Sequence, residues 1–307
     1  FLEYYYGAKE GDMAFEDILM KDRKTYGFNW RTMALAQIKS FPLLSSLESM
    51  TWGVAPTKFQ LSQFPKRIQE KSSVIHDGID VQFAKPNNSA SFDLPNGLTL
   101  NYGDQVITFV NRTFEPYRGI HVFLKSLIDI QRQNPKVQTI LVGKDTPNVS
   151  YGAHRDDGKG WLTFLKEEIG NDLDWSRIHS IGCIKHSSLI NLFQITSAHV
   201  YLTYPFVLSW SMLEAMSCGS IVIGSRTKPV EEVITHSKNG FLVDFSDTEL
   251  LAKQILYVLD NQDKCTSIRD SARQTVLEKY ERNTCIRSRI SMIDKILTLN
   301  SAKNQID

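Results

Sequence analysis

The chain contains little cysteine, and no arrangement of its cysteines would bind zinc. Four cysteines occur among 307 residues, none of them in a CxxC pair, and no Cys/His group has the spacing of zinc ligands. Disulfides persist mainly in oxidising compartments. So sparse a set therefore favours a reducing compartment, and we expect a cytoplasmic protein.

Long hydrophobic runs and an excess of one charge are also absent. No stretch approaches the ~20 apolar residues that a membrane span requires, so we expect no span, while peripheral contact with a membrane stays open. The formal net charge is +1, whereas a dedicated nucleic-acid binder usually shows a strong basic excess. The composition therefore predicts no nucleic-acid partner.

The sequence lacks the short motifs that mark several large enzyme classes. It has no GxxxxGK[ST] run, no GxGxxG after a predicted strand and no GxSxG, which argues against a P-loop, a dinucleotide-binding turn and a hydrolase nucleophile elbow. Its Asp-x-Asp run, Asp172–Asp174, precedes a predicted strand and so lies at the edge of the sheet away from ligands. We therefore predict neither a metal site nor a cofactor.

From residue 104 onward, strand and helix patterns alternate regularly. This alternation predicts an α/β domain with a doubly wound parallel sheet of about six strands, Rossmann-like in its connections. The predicted strands cover residues 106–110, 139–142, 177–181, 198–202, 221–224 and 241–243. The predicted helices between them cover residues 119–132, 160–169, 187–196, 209–217 and 229–234, and helices over 248–260, 263–279 and 282–297 follow.

The length allows a second domain before this one. We expect residues 1–84 to form an incomplete N-terminal domain, residues 85–103 (KPNNSASFDLPNGLTLNYG) an interdomain connection, residues 104–280 the regular domain, and residues 281–307 a helix that could return to the first domain. In the first part, strands are predicted at 2–6, 52–55 and 73–80, and helices at about 29–48 and from 57 to before Pro65. Because the chain begins with Phe1 inside a strand-like run, we expect its natural N-terminus to lie upstream.

The run from Tyr201 to Ile223 (YLTYPFVLSWSMLEAMSCGSIVI) is the most informative part of the sequence. Ser209 is typical of a helix N-cap, and the helix start offers free N–H groups and a positive dipole end for an anion. Glu214 lies in this helix among apolar residues, where a carboxylate is costly to bury unless it is hydrogen-bonded. A carboxylate that can bind hydroxyl groups, close to a site for an anion, fits a nucleotide sugar. The alternative is that Glu214 lies on a solvated rim.

Two arginines come directly after the first strand of the regular domain. Because ligands bind outside the carboxyl ends of parallel strands, Arg112 and Arg118 are candidates to contact a diphosphate, whose oxygens match the guanidinium fork. Gly143 and Gly182 follow the next two strands at the same edge. The alternative is that both arginines are solvated surface residues.

Four segments together are similar to a known family. They are Asn111-Arg112 with Glu115-Pro-Tyr-Arg-Gly119, Ile140-Leu-Val-Gly143, Ser209-Trp-Ser-Met-Leu-Glu-Ala-Met216 with Gly219, and Val74-Ile-His-Asp-Gly-Ile-Asp80. Over about residues 50–280 the chain resembles the GT-B glycosyltransferases of the large retaining family 4. The resemblance implies two Rossmann-like domains, of which the N-terminal, acceptor-side one is incomplete here and the second binds the donor.

The resemblance also implies roles for individual residues. Arg112 and Arg118 would contact the donor diphosphate and stabilise its charge; the family usually has Lys at the second position, and Arg118 keeps that charge. Glu214 would match the second glutamate of the EX7E motif, which holds the ribose hydroxyls. The first glutamate would fall at Phe206, which puts the sugar contact in doubt. The remaining donor-site positions would be the phosphate-binding Ser209, Trp210 and Ser211, Gly143, and Gly182, Cys183 and Ile184 near the base.

By this resemblance the chain would move a hexose from a nucleoside diphosphate sugar to an acceptor hydroxyl, with retention and without a metal. The nucleotide sugar is then a substrate and not a cofactor, and the acceptor would be a glycan, a lipid or a small molecule. Two alternatives remain open. One is a nucleotide-sugar binding fragment without turnover, which the incomplete first domain and Phe206 motivate. The other is a GT-B-fold epimerase.

Overall fold

The computed structural model describes residue 38 and residues 41–43, 45–150 and 154–303. The described chain divides into two compact units. The first unit contains the described residues up to Gly78, the short segment Phe206–Leu208 and the residues from Asn283 onward; the second contains Ile79–Pro205 and Ser209–Arg282. The predicted strand over residues 2–6 and most of the predicted helix over 29–48 lie outside the described residues, although 41–43 and 45–49 are helical.

The first unit holds one short parallel pair of strands with two helices between them. Strands β1 (Gly53–Ala55) and β2 (Ser72–Val74) pair in parallel, and helices α1 (Lys58–Ser62) and α2 (Lys66–Gln69) connect them. A parallel pair needs such a crossover connection. The unit's core contains Leu47, Ala55, Phe64 and Ile68.

The second unit opens with a hairpin that the composition did not predict. Strands β3 (Ser91–Asp93) and β4 (Thr99–Asn101) pair antiparallel within the segment that was expected to connect two domains. Phe92 and Leu100 are buried while their neighbours in the strands are exposed, which is the alternation of a half-buried hairpin. The two compact units separate along the chain between Gly78 and Ile79.

The main sheet of the second unit has six parallel strands in the order β10-β9-β8-β5-β6-β7. The strands are β5 (Val106–Thr113), β6 (Gln138–Lys144), β7 (Ile178–Ser180), β8 (Ala198–Tyr201), β9 (Ile221–Ser225) and β10 (Phe241–Val243). Every pairing among them is parallel. The predicted doubly wound sheet is therefore confirmed, and its strand order reverses between β5 and β8.

Helices cover this sheet in two groups. They are α3 (Ile120–Gln133), α4 (Trp161–Ile169), α5 (His186–Ile195), α6 (Trp210–Cys218), α7 (Lys228–Glu231), α8 (Thr248–Asp260) and α9 (Thr266–Lys279). Helix α3 packs against α8, whereas α6 packs against α5 and α9. The helix predicted over 229–234 is shorter in the structure, where α7 ends at Glu231 with Glu232 as its C-cap residue.

The last helix, α10 (Arg282–Lys303), follows the break that was predicted near Tyr280. From Asn283 onward it groups with the first unit, where Arg289 lies 2.7 Å from a carboxylate oxygen of Asp77. Within the described ranges, none of the helices combines the length and the apolar content that a membrane crossing needs.

Substitution of Gly119 would test how closely the β5–α3 connection packs against Leu202, which follows β8. The φ of Gly119 is +72°, and a Cβ at this position would lie 2.6 Å from the Leu202 Cβ. We expect Gly119→Ala to lower the free energy of unfolding by about 2–4 kcal/mol, since backbone strain and steric overlap add. Urea denaturation measures the change.

Gly97→Ala is the matched control for this prediction. Gly97 also has a positive φ, +87°, but no heavy atom lies within 4 Å of an added Cβ. It should lose only the strain cost of about 1–2 kcal/mol. Equal losses in the two variants would show that Leu202 yields to the added methyl group.

Candidate functional site

The reversal of strand order between β5 and β8 leaves a crevice at their carboxyl ends, where open parallel sheets bind ligands. Arg118 ends the 3-10 turn Pro116–Arg118 that follows β5. Its Nη1 donates to the Thr203 Oγ1 over 3.2 Å and to the Tyr201 hydroxyl over 3.5 Å. The structure therefore places the Arg118 guanidinium at this crevice, across the gap from the end of β8.

The Tyr201 hydroxyl connects Arg118 to the start of helix α6. Tyr201 is only 2% exposed, and its hydroxyl also accepts the Ser209 N–H over 2.7 Å. Ser209 is the N-cap of α6, as predicted, and its Oγ accepts the Ser211 N–H. A guanidinium and the positive end of a helix thus converge on one buried hydroxyl, an arrangement suited to an anion.

Glu214 is buried one turn into the same helix. Its side chain is 12% exposed, and its Oε1 lies 2.7 Å from the Nε2 of His186, whose side chain is 58% exposed. Burial raises the pKa of the Glu214 carboxyl, while the hydrogen bond and the charge of His186 act in the opposite direction. Glu214 is therefore not on a solvated rim, and its carboxylate has a partner that water also reaches.

His186 was not identified from the sequence. It is the first residue of α5, 28 positions before Glu214, and the two residues meet because α5 packs on α6. The Phe83 ring lies against the imidazole with a centroid separation of 5.3 Å. The sequence does show a histidine at the start of the helix that follows β7. Its pairing with Glu214 could not be predicted, because it depends on how the two helices pack.

The structure does not join Arg112 to this group. Arg112 is exposed near the end of β5, where the register with β6 shifts between Val110 and Thr113. Within the part of the chain that the structure describes, its side chain makes no hydrogen bond or ion pair. A contact from Arg112 to a diphosphate stays a prediction.

Gly143, near the end of β6, lies beside Gly182, which follows β7. The Gly143 N–H donates to the Gly182 carbonyl over 2.9 Å, and a Cβ on Gly143 would lie 2.6 Å from the Asn111 carbonyl oxygen. Cys183 is exposed and Ile184 is half-buried. Ile184 lines a cavity of about 330 Å³ together with Phe92 of the hairpin and Ser188 of α5.

Two further predicted positions differ in exposure. Phe206 is 2% exposed and Trp210 is 52% exposed, so the side chain at 206 is an enclosed apolar group and that at 210 faces solvent.

Asp174 of the Asp-x-Asp run accepts the Ser176 N–H and pairs with Arg177 before β7. Among the described residues, no three His, Cys, Asp or Glu side chains are grouped to hold a metal ion.

Comparisons with known proteins agree with this architecture. The model of the family described as glycosyl transferases group 1 matches residues 92–275, and that of the glycosyl transferase family 4 group matches residues 1–84. The trehalose synthase of Thermococcus litoralis is 27% identical over 178 residues, which cover 57% of this chain and 40% of that protein. The chain therefore spans well under two thirds of this curated relative.

Solved structures show the same fold. HepE of Anabaena, solved in complex with UDP-glucose, superposes with a TM-score of 0.68 at 18% identity, covering 85% of this chain and 68% of that one. Sucrose-phosphate synthase of Thermosynechococcus elongatus has a TM-score of 0.70 at 17% identity, covering 93% and 66%. The predicted GT-B fold and the resemblance to family 4 are confirmed.

The burial of Glu214 predicts that its charge does not stabilise the fold. Since its pKa is raised in the folded state, the carboxyl group binds its proton more readily in the folded protein than in the unfolded chain. At neutral pH, where the carboxylate is ionised, this group therefore lowers the free energy of unfolding. Glu214→Gln should therefore have an equal or higher free energy of unfolding at pH 7. The gain should shrink as the pH falls through the raised pKa, as measured by urea denaturation.

Glu115→Gln is the control, because this second buried carboxylate is held by the fold itself. Glu115 is 1% exposed and accepts hydrogen bonds from the Thr113 hydroxyl and the Ser150 N–H. Replacing its carboxylate by an amide should lower the free energy of unfolding by about 1–3 kcal/mol. An equal loss in Glu214→Gln would mean that Glu214 is a structural group.

Proposed function

Because the chain belongs to the glycosyl transferases group 1 family, we propose that it binds a nucleoside diphosphate sugar at the β5–β8 crevice. It transfers the hexose to an acceptor hydroxyl, with retention of configuration and without a divalent metal. The second unit is the donor-binding domain, and the first unit belongs to the acceptor side. The acceptor is a glycan, a lipid or a small molecule.

One observation carries the proposal: Arg118 and the N-terminus of α6 converge on the Tyr201 hydroxyl. Cleavage of a nucleotide sugar leaves negative charge on the diphosphate. Donors that are already aimed at that charge stabilise it without reorganising, and guanidinium–phosphate hydrogen bonds are among the strong ones. This arrangement supports neutralisation of the leaving group by the protein's own positive groups.

The other half of the donor is a ribose with two neighbouring hydroxyls. An ionised carboxylate only accepts hydrogen bonds, and it has lone pairs on both oxygens. Glu214 lies one turn into the helix whose N-terminus we assign to the phosphates, and we therefore assign its carboxylate to the ribose. HepE is solved with UDP-glucose, which makes uridine diphosphate the first nucleotide to test.

The reaction then balances without a protein base. The bond between the anomeric carbon and the diphosphate oxygen breaks, and the acceptor oxygen bonds to that carbon on the same face of the sugar. The leaving diphosphate oxygen takes the proton of the acceptor hydroxyl. Arg118 stabilises the negative charge until this proton arrives.

Binding without turnover is the second candidate, and Phe206 favours it. This residue stands where the family's first EX7E glutamate would contact the transferred sugar, and its buried phenyl ring has no hydrogen-bonding atom. The nucleotide contacts proposed for Arg118 and Glu214 do not depend on position 206. Product formation, and not nucleotide affinity, separates the two candidates.

A thermal-shift titration tests the donor site. We expect UDP, GDP or ADP to raise the melting temperature of the wild-type chain, equally with and without EDTA, because a ligand that binds only the folded state stabilises it. Arg118→Ala should weaken binding of that diphosphate at least about tenfold, and binding of the nucleoside much less. Arg112→Ala should show the same selectivity if it contacts phosphate.

Arg132→Ala is the control for charge removal, since Arg132 is an exposed arginine at the end of α3, paired with Asp129 on the surface. It should bind like the wild type. A shift that EDTA abolishes would refute metal-independent binding, and no shift with any diphosphate would refute the donor site.

A second experiment incubates the chain with the sugar conjugate of the nucleotide that binds and with candidate acceptors. A product that keeps the donor's anomeric configuration, as determined by NMR, would support transfer over binding alone.

A further inference from the structure

We propose that His186 is a positioning residue that orients the Glu214 carboxylate for the ribose of the donor. This inference rests on the proposed function and deepens it. It starts from the hydrogen bond between the Nε2 of His186 and the Oε1 of Glu214, which is 2.7 Å long.

The contact joins an exposed side chain to a buried one. The Glu214 side chain is 12% exposed and that of His186 is 58% exposed. Both nitrogens of an exposed imidazole can form hydrogen bonds with water, so the histidine itself does not need this contact. The carboxylate does require a donor, because a buried charge without a hydrogen bond is strongly disfavoured.

The imidazole is itself held in place. Its ring contacts Phe83 at a centroid separation of 5.3 Å and a tilt of 50°. Its backbone begins α5, with Lys185 as the N-cap residue. The Nε2 thus reaches Glu214 from the start of α5, and its hydrogen bond restricts the rotation of the carboxylate group.

Fixing that rotation decides what the carboxylate offers to a ligand. With Oε1 engaged by His186, Oε2 and the second lone pair of Oε1 remain to accept hydroxyl protons. Two neighbouring ribose hydroxyls need two such sites in one plane. Without the histidine the carboxylate can rotate, and the affinity gained from the hydroxyls falls.

The other titratable side chains near Glu214 do not replace this role. Cys218 lies one turn further along α6, and burial raises the pKa of its thiol to about 12. Arg273 of α9 donates to the carbonyl and the hydroxyl of Ser217. His186 is the neighbour whose hydrogen bond reaches the carboxylate itself.

The test compares a nucleoside diphosphate with its 2′,3′-dideoxy analogue, using the diphosphate that stabilises the wild-type chain. For the wild type we expect the ribonucleotide to bind at least about tenfold more tightly than the analogue. His186→Leu should remove most of this ratio and leave the affinity for the analogue unchanged. His186→Gln, whose amide also donates, should restore part of it. Isothermal titration calorimetry measures all three proteins.

His179→Leu is the matched control, because His179 is a half-buried histidine of β7 that bonds the Gln138 side chain over 2.8 Å. It should keep the wild-type ratio. An unchanged ratio in His186→Leu, or an equal loss for both ligands, would overturn the positioning role. If the wild type binds no diphosphate, the proposed function and this inference both fail. If the wild type binds but the affinity ratio is the same in His186→Leu, only this inference fails.

Discussion

The reversal of strand order between β5 and β8 is the constraint on which the candidate site depends. Both strands are buried at the residues through which they pair in parallel, so their carboxyl ends meet at one edge and their connections leave in opposite directions. The loops that follow them must therefore face each other across a crevice. The Thr203 N–H extends this arrangement by donating to the Ser225 hydroxyl at the end of β9.

Two buried carboxylates near this edge are satisfied in different ways. Glu115 is held by the hydroxyl of Thr113 and the backbone of Ser150, groups that belong to the fold. Glu214 is held by one exposed histidine, and burial still raises its pKa. A carboxylate whose stabilisation is left incomplete is typical of functional sites, because a ligand can then supply the missing hydrogen bonds.

The sequence predicted the main sheet and helices to within a few residues, since buried parallel strands are long apolar runs between helix signals. It did not predict the β3–β4 hairpin, whose three-residue strands lie in a Pro- and Asn-rich segment. Arg118 and Glu214 were identified because both follow strand ends or a helix start. Tyr201 and His186 were not, since one reads as an apolar strand residue and the other meets its partner only through packing.

The groups assigned to the nucleotide and the group expected for the sugar are separate in this chain. Arg118, Tyr201 and the α6 N-terminus lie together through direct hydrogen bonds, whereas position 206 holds a buried phenylalanine. In the proposed function, the contacts assigned to the nucleotide are therefore independent of the side chain at position 206. If transfer occurs, binding energy from the diphosphate and the ribose must hold the sugar in place for reaction, as remote contacts can. The pair His186–Glu214 then contributes to transfer through the position of the ribose, at a distance from the bond that breaks.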